Sequence, residues 1–229
     1  LKNPKGTYLK SITESIKNPY SAIKILNEKK LITIENKEVI PKRFLNNTST
    51  SNEKKLSRDQ NLIFNEISKT ISMKKYSPFL IHGVPGSGKT EIYIKLAKKC
   101  IQKNQRVLVL VPEISLTPQL LYKFQSQFLN RIALWHSKIK TKEKGWVWQN
   151  LYKNQFDIVI GVRSAIFLPI KNLGLIIVDE EHEFSYKQTN PQPRYNAKDL
   201  ALVRSNYNKI TCVLGSATPC METYYNSLN

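Results

Sequence analysis

Residues 83 to 90 read Gly83-Val84-Pro85-Gly86-Ser87-Gly88-Lys89-Thr90, glycines leading into a lysine and a hydroxyl. This is the spacing of a loop that cradles phosphates. Glycines let backbone amides approach the oxygens, and a helix starting near Lys89 adds its positive N-terminal end. Lys89 is then the cation for the β- and γ-phosphates, and the Thr90 hydroxyl is a magnesium ligand. A second cluster, Asp179-Glu180-Glu181-His182, follows the apolar run Leu175-Ile176-Ile177-Val178. A carboxylate ending such a strand partners magnesium, directly or one layer removed, and Asp179 is expected to do so. Glu180 is placed to orient or deprotonate water for in-line attack on a γ-phosphate. The alternative, a surface acidic cluster, rarely follows four apolar residues. His182 admits two roles, a relay from the nucleotide to another segment or a packed histidine. Gly215-Ser216-Ala217-Thr218-Pro219 ends another apolar run. Ser216 and Thr218 can hydrogen-bond the carboxylate cluster, although a plain strand-to-turn connection uses the same residue types.

These clusters need a scaffold, and the rest of the pattern supplies one. Short apolar runs at Phe79–His82, Val107–Val111, Ile132–Trp135, Asp157–Ile160, Leu175–Val178 and Thr211–Leu214 read as strands. A helix over residues 58–72 carries Leu62, Ile63, Ile67 and Ile71 at helical spacing. Further helical stretches at 89–103, 117–129, 142–153 and 196–206 lie between most of the strands. Strands alternating with helices predict an α/β fold with a parallel sheet, wound right-handed, whose strand ends gather ligands. There are no internal repeats.

Residues 46–57 are almost entirely polar and read as a linker. Before them, Tyr8 to Ile16 and Tyr20 to Lys30 look helical, the second with Ala22, Ile23, Ile25 and Leu26 as its apolar residues. Leu31–Ile34 and Glu38–Ile40 suggest a strand pair or wing. Two helices and a hairpin over residues 1–45 fit either part of a winged-helix module or a small α/β appendage. Ten basic and four acidic residues among the first 50 leave this end net +6.

The whole chain carries 36 basic against 17 acidic side chains, a formal net charge of +19. Such an excess favours polyanionic partners, because each neutralised phosphate releases counterions. Abundant Lys, Asn and Ile also fit an AT-rich genome with many solvated lysines. Cys100, Cys212 and Cys220 are widely spaced and odd in number, which indicates neither a zinc site nor a disulfide framework. No stretch has the length of apolar sequence that spans a bilayer, and no signal peptide pattern is present, so a cytoplasmic setting without a membrane partner is expected. The start at Leu1 and the polar end after a strong motif look like cuts in a longer protein.

In order, GVPGSGKT, DEEH and GSATP resemble the superfamily 2 helicases of the DEAH type. Longer strings narrow this. LVPEISLTPQL (110–120), HS (136–137), IVIGVRSAIFLPIKNLGLIIVDEEH (158–182), SYKQ (185–188), PRYNAKDLALVR (193–204) and VLGSATP (213–219) are similar to the PriA-like family of replication-restart helicases. The match runs from about Leu56 to the end.

The resemblance implies a first RecA-like lobe over residues 58–229, with ATP and Mg2+ as cofactors. It implies forked and single-stranded DNA as substrates, and primosome and single-strand-binding proteins as partners. Gln60 is similar to the upstream glutamine that recognises adenine. Pro112, Glu113, Thr117 and Gln119 match a segment that grips single-stranded DNA, as do Arg163 and Ser164. Phe184 to Tyr195 looks like an aromatic-rich loop that couples DNA binding to ATP turnover. In it, Phe184, Tyr186 and Tyr195 can stack on bases, with Lys187 and Arg194 on the backbone. A surface loop whose aromatics pack on the sheet is the alternative. Trp135, Trp146 and Trp148 read as packing residues.

Two features of the family are absent here: the paired cysteines that bind zinc, and the second RecA-like lobe with its arginine finger. Zinc is therefore expected only beyond Asn229, and an isolated lobe should turn over ATP poorly, since a missing arginine finger costs about 10³-fold or more. The expected activity of the whole protein is ATP-driven 3′→5′ DNA translocation at stalled forks. The alternatives are another superfamily 2 motor on RNA or DNA, or a non-catalytic scaffold that binds nucleotide and DNA.

Overall fold

The computed structural model describes residue 7 and residues 9–34, 55–113 and 118–228. The chain divides into two units, Leu1–Ile40 and Pro41–Asn229. In the first, α1 (Leu9–Ser15) and α2 (Tyr20–Glu28) are joined through Asn18, whose φ is +55°. None of the α2 residues is buried, so the apolar set at Ile23, Ile25 and Leu26 covers no core there. Residues 31–34, expected as a strand, are bend and coil instead. Leu31 N–H bonds back to Leu26 O and Lys30 N–H to Asn27 O, which spends this backbone on ending α2. The expected partner at 38–40 and most of the linker lie outside the described residues.

The second unit opens with α3 (Arg58–Met73). Its start is a reciprocal cap: the Ser57 hydroxyl accepts from Gln60 N–H, and the Gln60 side chain accepts from Ser57 N–H. Five strands with helices between them follow: β1 (Ser77–His82), α4 (Lys89–Ile101), β2 (Arg106–Leu110), α5 (Pro118–Phe128), β3 (Ile132–Trp135), α6 (Thr141–Tyr152), β4 (Ile158–Gly161) and β5 (Leu173–Asp179). A 3₁₀ turn at Arg163–Phe167, not a helix, begins the link from β4 to β5. A two-residue antiparallel pair, β6 (Lys187–Gln188) with β7 (Tyr195–Asn196), then leads through α7 (Ala197–Asn208) to β8 (Thr211–Ser216) and α8 (Met221–Leu228).

The six long strands form one parallel sheet in the order β1-β8-β5-β2-β4-β3. Alternate residues of one strand enter opposite cores. Leu108, Leu110, Ile176 and Val178 face a cluster with Val147 and Leu151 of α6 and Ala197 and Ala201 of α7. Val107, Val109, Leu175 and Ile177 face Ile67 and Ile71 of α3, Ile92 and Leu96 of α4, and Phe124 of α5. The sheet is thus covered on both faces, as its unbroken apolar strands require. Its C-terminal edge is left to carry polar side chains. Among the described residues, no helix is long and apolar enough to cross a membrane.

Candidate nucleotide site at the sheet edge

Strand order decides what meets at this edge. β1, β8 and β5 are neighbours, so the glycine loop after His82, the Ser216 turn and the Asp179 turn lie side by side although Asp179 comes 90 residues after Lys89 in sequence. Gly83 N–H donates to Ser216 O at 3.0 Å, tying the loop to the end of β8. Gly86 (φ +80°) and Gly88 (φ +85°) take the left-handed backbone that turns the loop into α4. At Gly88 a Cβ would also lie 2.4 Å from the Gln60 amide nitrogen. That amide donates to Ser87 O at 2.8 Å, so Gln60 is spent on capping α3 and bracing the loop. This contact, and not a free amide aimed at a base, is what the structure shows for Gln60.

Lys89 is buried, and its Nζ donates to Gly83 O at 2.7 Å and lies 3.8 Å from Glu180 Oε1. The cation is folded back over the loop, where γ-phosphate oxygens would compete for it. Thr90 is half-buried in the first turn of α4. Asp179 ends β5, and its Oδ1 accepts from the Tyr93 hydroxyl at 3.0 Å. Burial pushes its carboxyl above the ordinary range, Glu180 pushes the same way, and Tyr93 and Lys89 oppose them. Two adjacent, half-buried carboxylates favour a cation between themselves and a phosphate. Thr90 and Asp179 offer the hard oxygen donors that magnesium takes, with phosphate oxygens completing the set. Among the described residues no group of three or more acidic, His or Cys side chains could hold a metal ion.

Glu180 sits at φ +47°, a backbone that a non-glycine residue adopts at a cost, and this turn aims its carboxylate back toward Lys89. His182 Nδ1 is 2.7 Å from Ser216 Oγ and 3.7 Å from Glu180 Oε2. The contact with Ser216 joins the tetrapeptide to the end of β8. Ser216 is fully buried and its hydroxyl also accepts from Thr218 N–H at 3.0 Å. Ser216 therefore meets the histidine, not the carboxylates, and Thr218 contributes its backbone amide while its side chain is exposed.

Glu181 turns the opposite way from Glu180. Its buried carboxylate accepts from Cys220 N–H at 2.8 Å, Thr223 Oγ1 at 2.9 Å and Lys198 Nζ at 3.1 Å. Burial alone would raise its carboxyl, but the donors from Cys220, Thr223 and Lys198 outweigh it and hold the group below the ordinary range. The third residue of the tetrapeptide is thus an anchor for α7 and α8. Nothing in the sequence marked Tyr93, Lys198 or Thr223, because each reads as an ordinary helix residue.

The residues expected to meet DNA divide. Tyr186 is 2% exposed, and its hydroxyl donates to Leu110 O at 3.1 Å and Asp179 O at 2.5 Å. It cannot stack on a base; it joins the ends of β2 and β5. Pro112 is likewise buried, which removes its side chain from any DNA surface. Phe184, 83% exposed, has an open ring. Lys187 and Arg194 are exposed, whereas Tyr195 is half-buried with its ring edge-on to Phe167, centroids 4.9 Å apart. Arg163 Nη1 lies 3.4 Å from Ser185 O and 3.5 Å from Lys187 O, so it supports the aromatic segment. Ser164 is exposed and accepts from Trp135 Nε1 at 3.1 Å, and Glu113 accepts from the Ser137 hydroxyl. Thr117 and the Gln119 side chain lie outside the described residues. Trp135 and Trp146 pack against the core, as expected, while Trp148 is 46% exposed with its ring centroid 6.5 Å from that of Trp135.

The site and the fold define a nucleotide-binding helicase lobe, and comparison with known proteins agrees. The chain belongs to the DEAD/DEAH box helicases, whose family model matches residues 57–226, and ATP binding comes with that membership. It is similar to the replication restart protein PriA of Bacillus subtilis (strain 168), 46% identical over 169 residues that make up 74% of this chain and 21% of that protein. It is also similar to PriA of Synechocystis sp., 38% identical over 226 residues, 98% of this chain and 27% of that protein. The chain therefore spans between a fifth and about a quarter of these relatives' length. Among solved structures, RecG bound to a three-way DNA junction matches with a TM-score of 0.57 at 24% identity, covering 76% of this chain and 22% of RecG. That likeness supports the parallel-sheet lobe.

Proposed function

We propose that this chain is the ATP-binding lobe of a PriA-like replication-restart helicase that uses ATP to translocate 3′→5′ on forked and single-stranded DNA. The observation that carries this reading is the convergence of the glycine loop, the Asp179–Glu180 turn and Ser216 on three neighbouring strand ends. The identity to PriA over 74% of the chain selects replication restart within the family. In this reading Lys89 neutralises the β- and γ-phosphates, and loop amides 83–88 bind their oxygens. Thr90 and Asp179 hold magnesium, which supplies charge neutralisation at the transferring phosphoryl group. Glu180, held near Lys89, orients the attacking water, and the His182–Ser216 contact passes the state of this turn to the end of β8.

DNA would lie along the remaining strand ends, with Phe184 stacking on a base and Lys187 and Arg194 on phosphates. The partners are those of replication restart, the primosome and single-strand-binding proteins, in the cytoplasm. The net charge of +19 suits such polyanionic surroundings. The decisive test is Lys89→Ala in the whole helicase. DNA-stimulated ATP hydrolysis should drop to background while DNA binding at low nucleotide persists; unchanged turnover would sink the assignment. Comparing stimulation by forked DNA, single-stranded DNA and RNA separates this reading from another nucleic-acid motor.

A further inference from the structure

Tyr93 is a feature that the phosphate loop and the carboxylate tetrapeptide leave unused. It sits four residues after Lys89 in α4, on the same helix face, and is 1% exposed. A phenol hydroxyl buried that deeply needs a partner, and its partner is Asp179 Oδ1 at 3.0 Å. The space for it comes from β8. Gly215 lies opposite Asp179 in the β5–β8 register, and a Cβ on Gly215 would fall 1.7 Å from the Tyr93 hydroxyl oxygen. The phenol therefore occupies the place that a side chain at 215 would take. The backbone around Asp179 is fixed independently, since Tyr186 Oη donates to Asp179 O and Glu181 N–H to Gly215 O at 3.0 Å. With the main chain clamped, the carboxylate still has its own torsion; Tyr93 holds one of its oxygens from the α4 side, beside the local donor of the Glu180 backbone amide.

We propose that Tyr93, accommodated by Gly215, is a positioning residue that sets the rotation of the Asp179 carboxylate, so that its other oxygen is presented to the magnesium bound with nucleotide. This rests on the ATP-site reading above and adds to it a group that touches neither nucleotide nor metal. Partners that orient a metal-binding carboxylate commonly govern metal affinity. Tyr93→Phe keeps the ring and removes only the donor. Gly215→Ala keeps the donor and pushes it away.

The test is equilibrium binding of a fluorescent ATP analogue to the 229-residue chain, titrated with Mg2+ and repeated in EDTA. In both variants the Mg2+ concentration for half-maximal binding should rise roughly tenfold, while affinity in EDTA stays that of the parent. Saturating Mg2+ should restore the parent's nucleotide affinity. An unchanged Mg2+ midpoint in Tyr93→Phe overturns the proposal, and so does an equal loss of affinity with and without Mg2+, which a merely structural role would produce. If the parent chain itself shows no Mg2+-dependent binding, the ATP-site reading falls and this proposal with it, an outcome distinct from both others.

Discussion

The C-terminal edge of the sheet has two halves that handle polar side chains in opposite ways. At the ends of β1, β8 and β5 the chemical groups are paired, and each pair has a buried member. Lys89 lies on Gly83 O, Tyr93 on Asp179, His182 on Ser216, and Glu181 on Lys198, Thr223 and the Cys220 amide. At the ends of β2, β4 and β3, Glu113 and Ser164 are exposed, and the nearby Phe184 ring stands open. Fixed dipoles suit one small, highly charged ligand, whose binding energy survives only if nothing must reorganise. An open surface of aromatic and basic groups suits a long polymer read mainly through its backbone and base faces. Tyr186 belongs to both halves, because its one hydroxyl reaches Leu110 O on β2 and Asp179 O on β5.

Substitutions can break this contrast. The largest effect on stability should come from Lys198→Met. The Glu181 carboxylate is fully buried and Lys198 is 11% exposed, so removing the cation strands a buried charge at a cost of about 3–5 kcal/mol. Urea denaturation measures it, and a loss under about 1 kcal/mol would show that this half is not held by its buried network. The same pair sets a pH dependence. Because Glu181 is held below the ordinary carboxylate range, its stabilising contribution is complete above that range and is lost as pH falls through the depressed value. In Lys198→Met that acid-side loss should shrink.

Tyr186→Phe should cost less, about 1–3 kcal/mol, by removing the one hydroxyl proton shared between the buried Leu110 carbonyl and the Asp179 carbonyl. It sharpens the comparison, because ATP turnover and DNA stimulation should both decline if the hydroxyl joins the two halves. Phe184→Ala should have the smallest effect on folding, within about 0.5 kcal/mol. Affinity for single-stranded DNA should nevertheless fall by about 1–3 kcal/mol in a fluorescence titration. A stability loss like that of Tyr186→Phe would instead make Phe184 a packing residue and erase the distinction.

The strands and most helices are legible in the sequence, because unbroken apolar runs such as Leu175–Val178 and helical spacing such as Ile67 with Ile71 survive any arrangement of the sheet. The short N-terminal unit was less so. Leu31–Ile34 has strand-like composition, yet its backbone is drawn into closing α2. The site divides on the same principle. Lys89, Thr90, Asp179 and Glu180 stand out in the sequence by their spacing, and strand order brings the turns that carry them side by side. Phe184 and Tyr186 could not be told apart, since two aromatics two residues apart look alike until one is buried and the other is not.

Local information therefore determined the phosphate loop, the carboxylate turn and the alternation of strand and helix: a loop's grip on phosphate and a helix's dipole depend on residues adjacent in sequence. Only the tertiary structure decided that β8 lies between β1 and β5. With it were decided Ser216 against His182, Gly215 making room for Tyr93 beside Asp179, and Glu181 facing Lys198. Each of these is a contact between segments distant in the chain, fixed by strand order and by which buried polar groups must find partners.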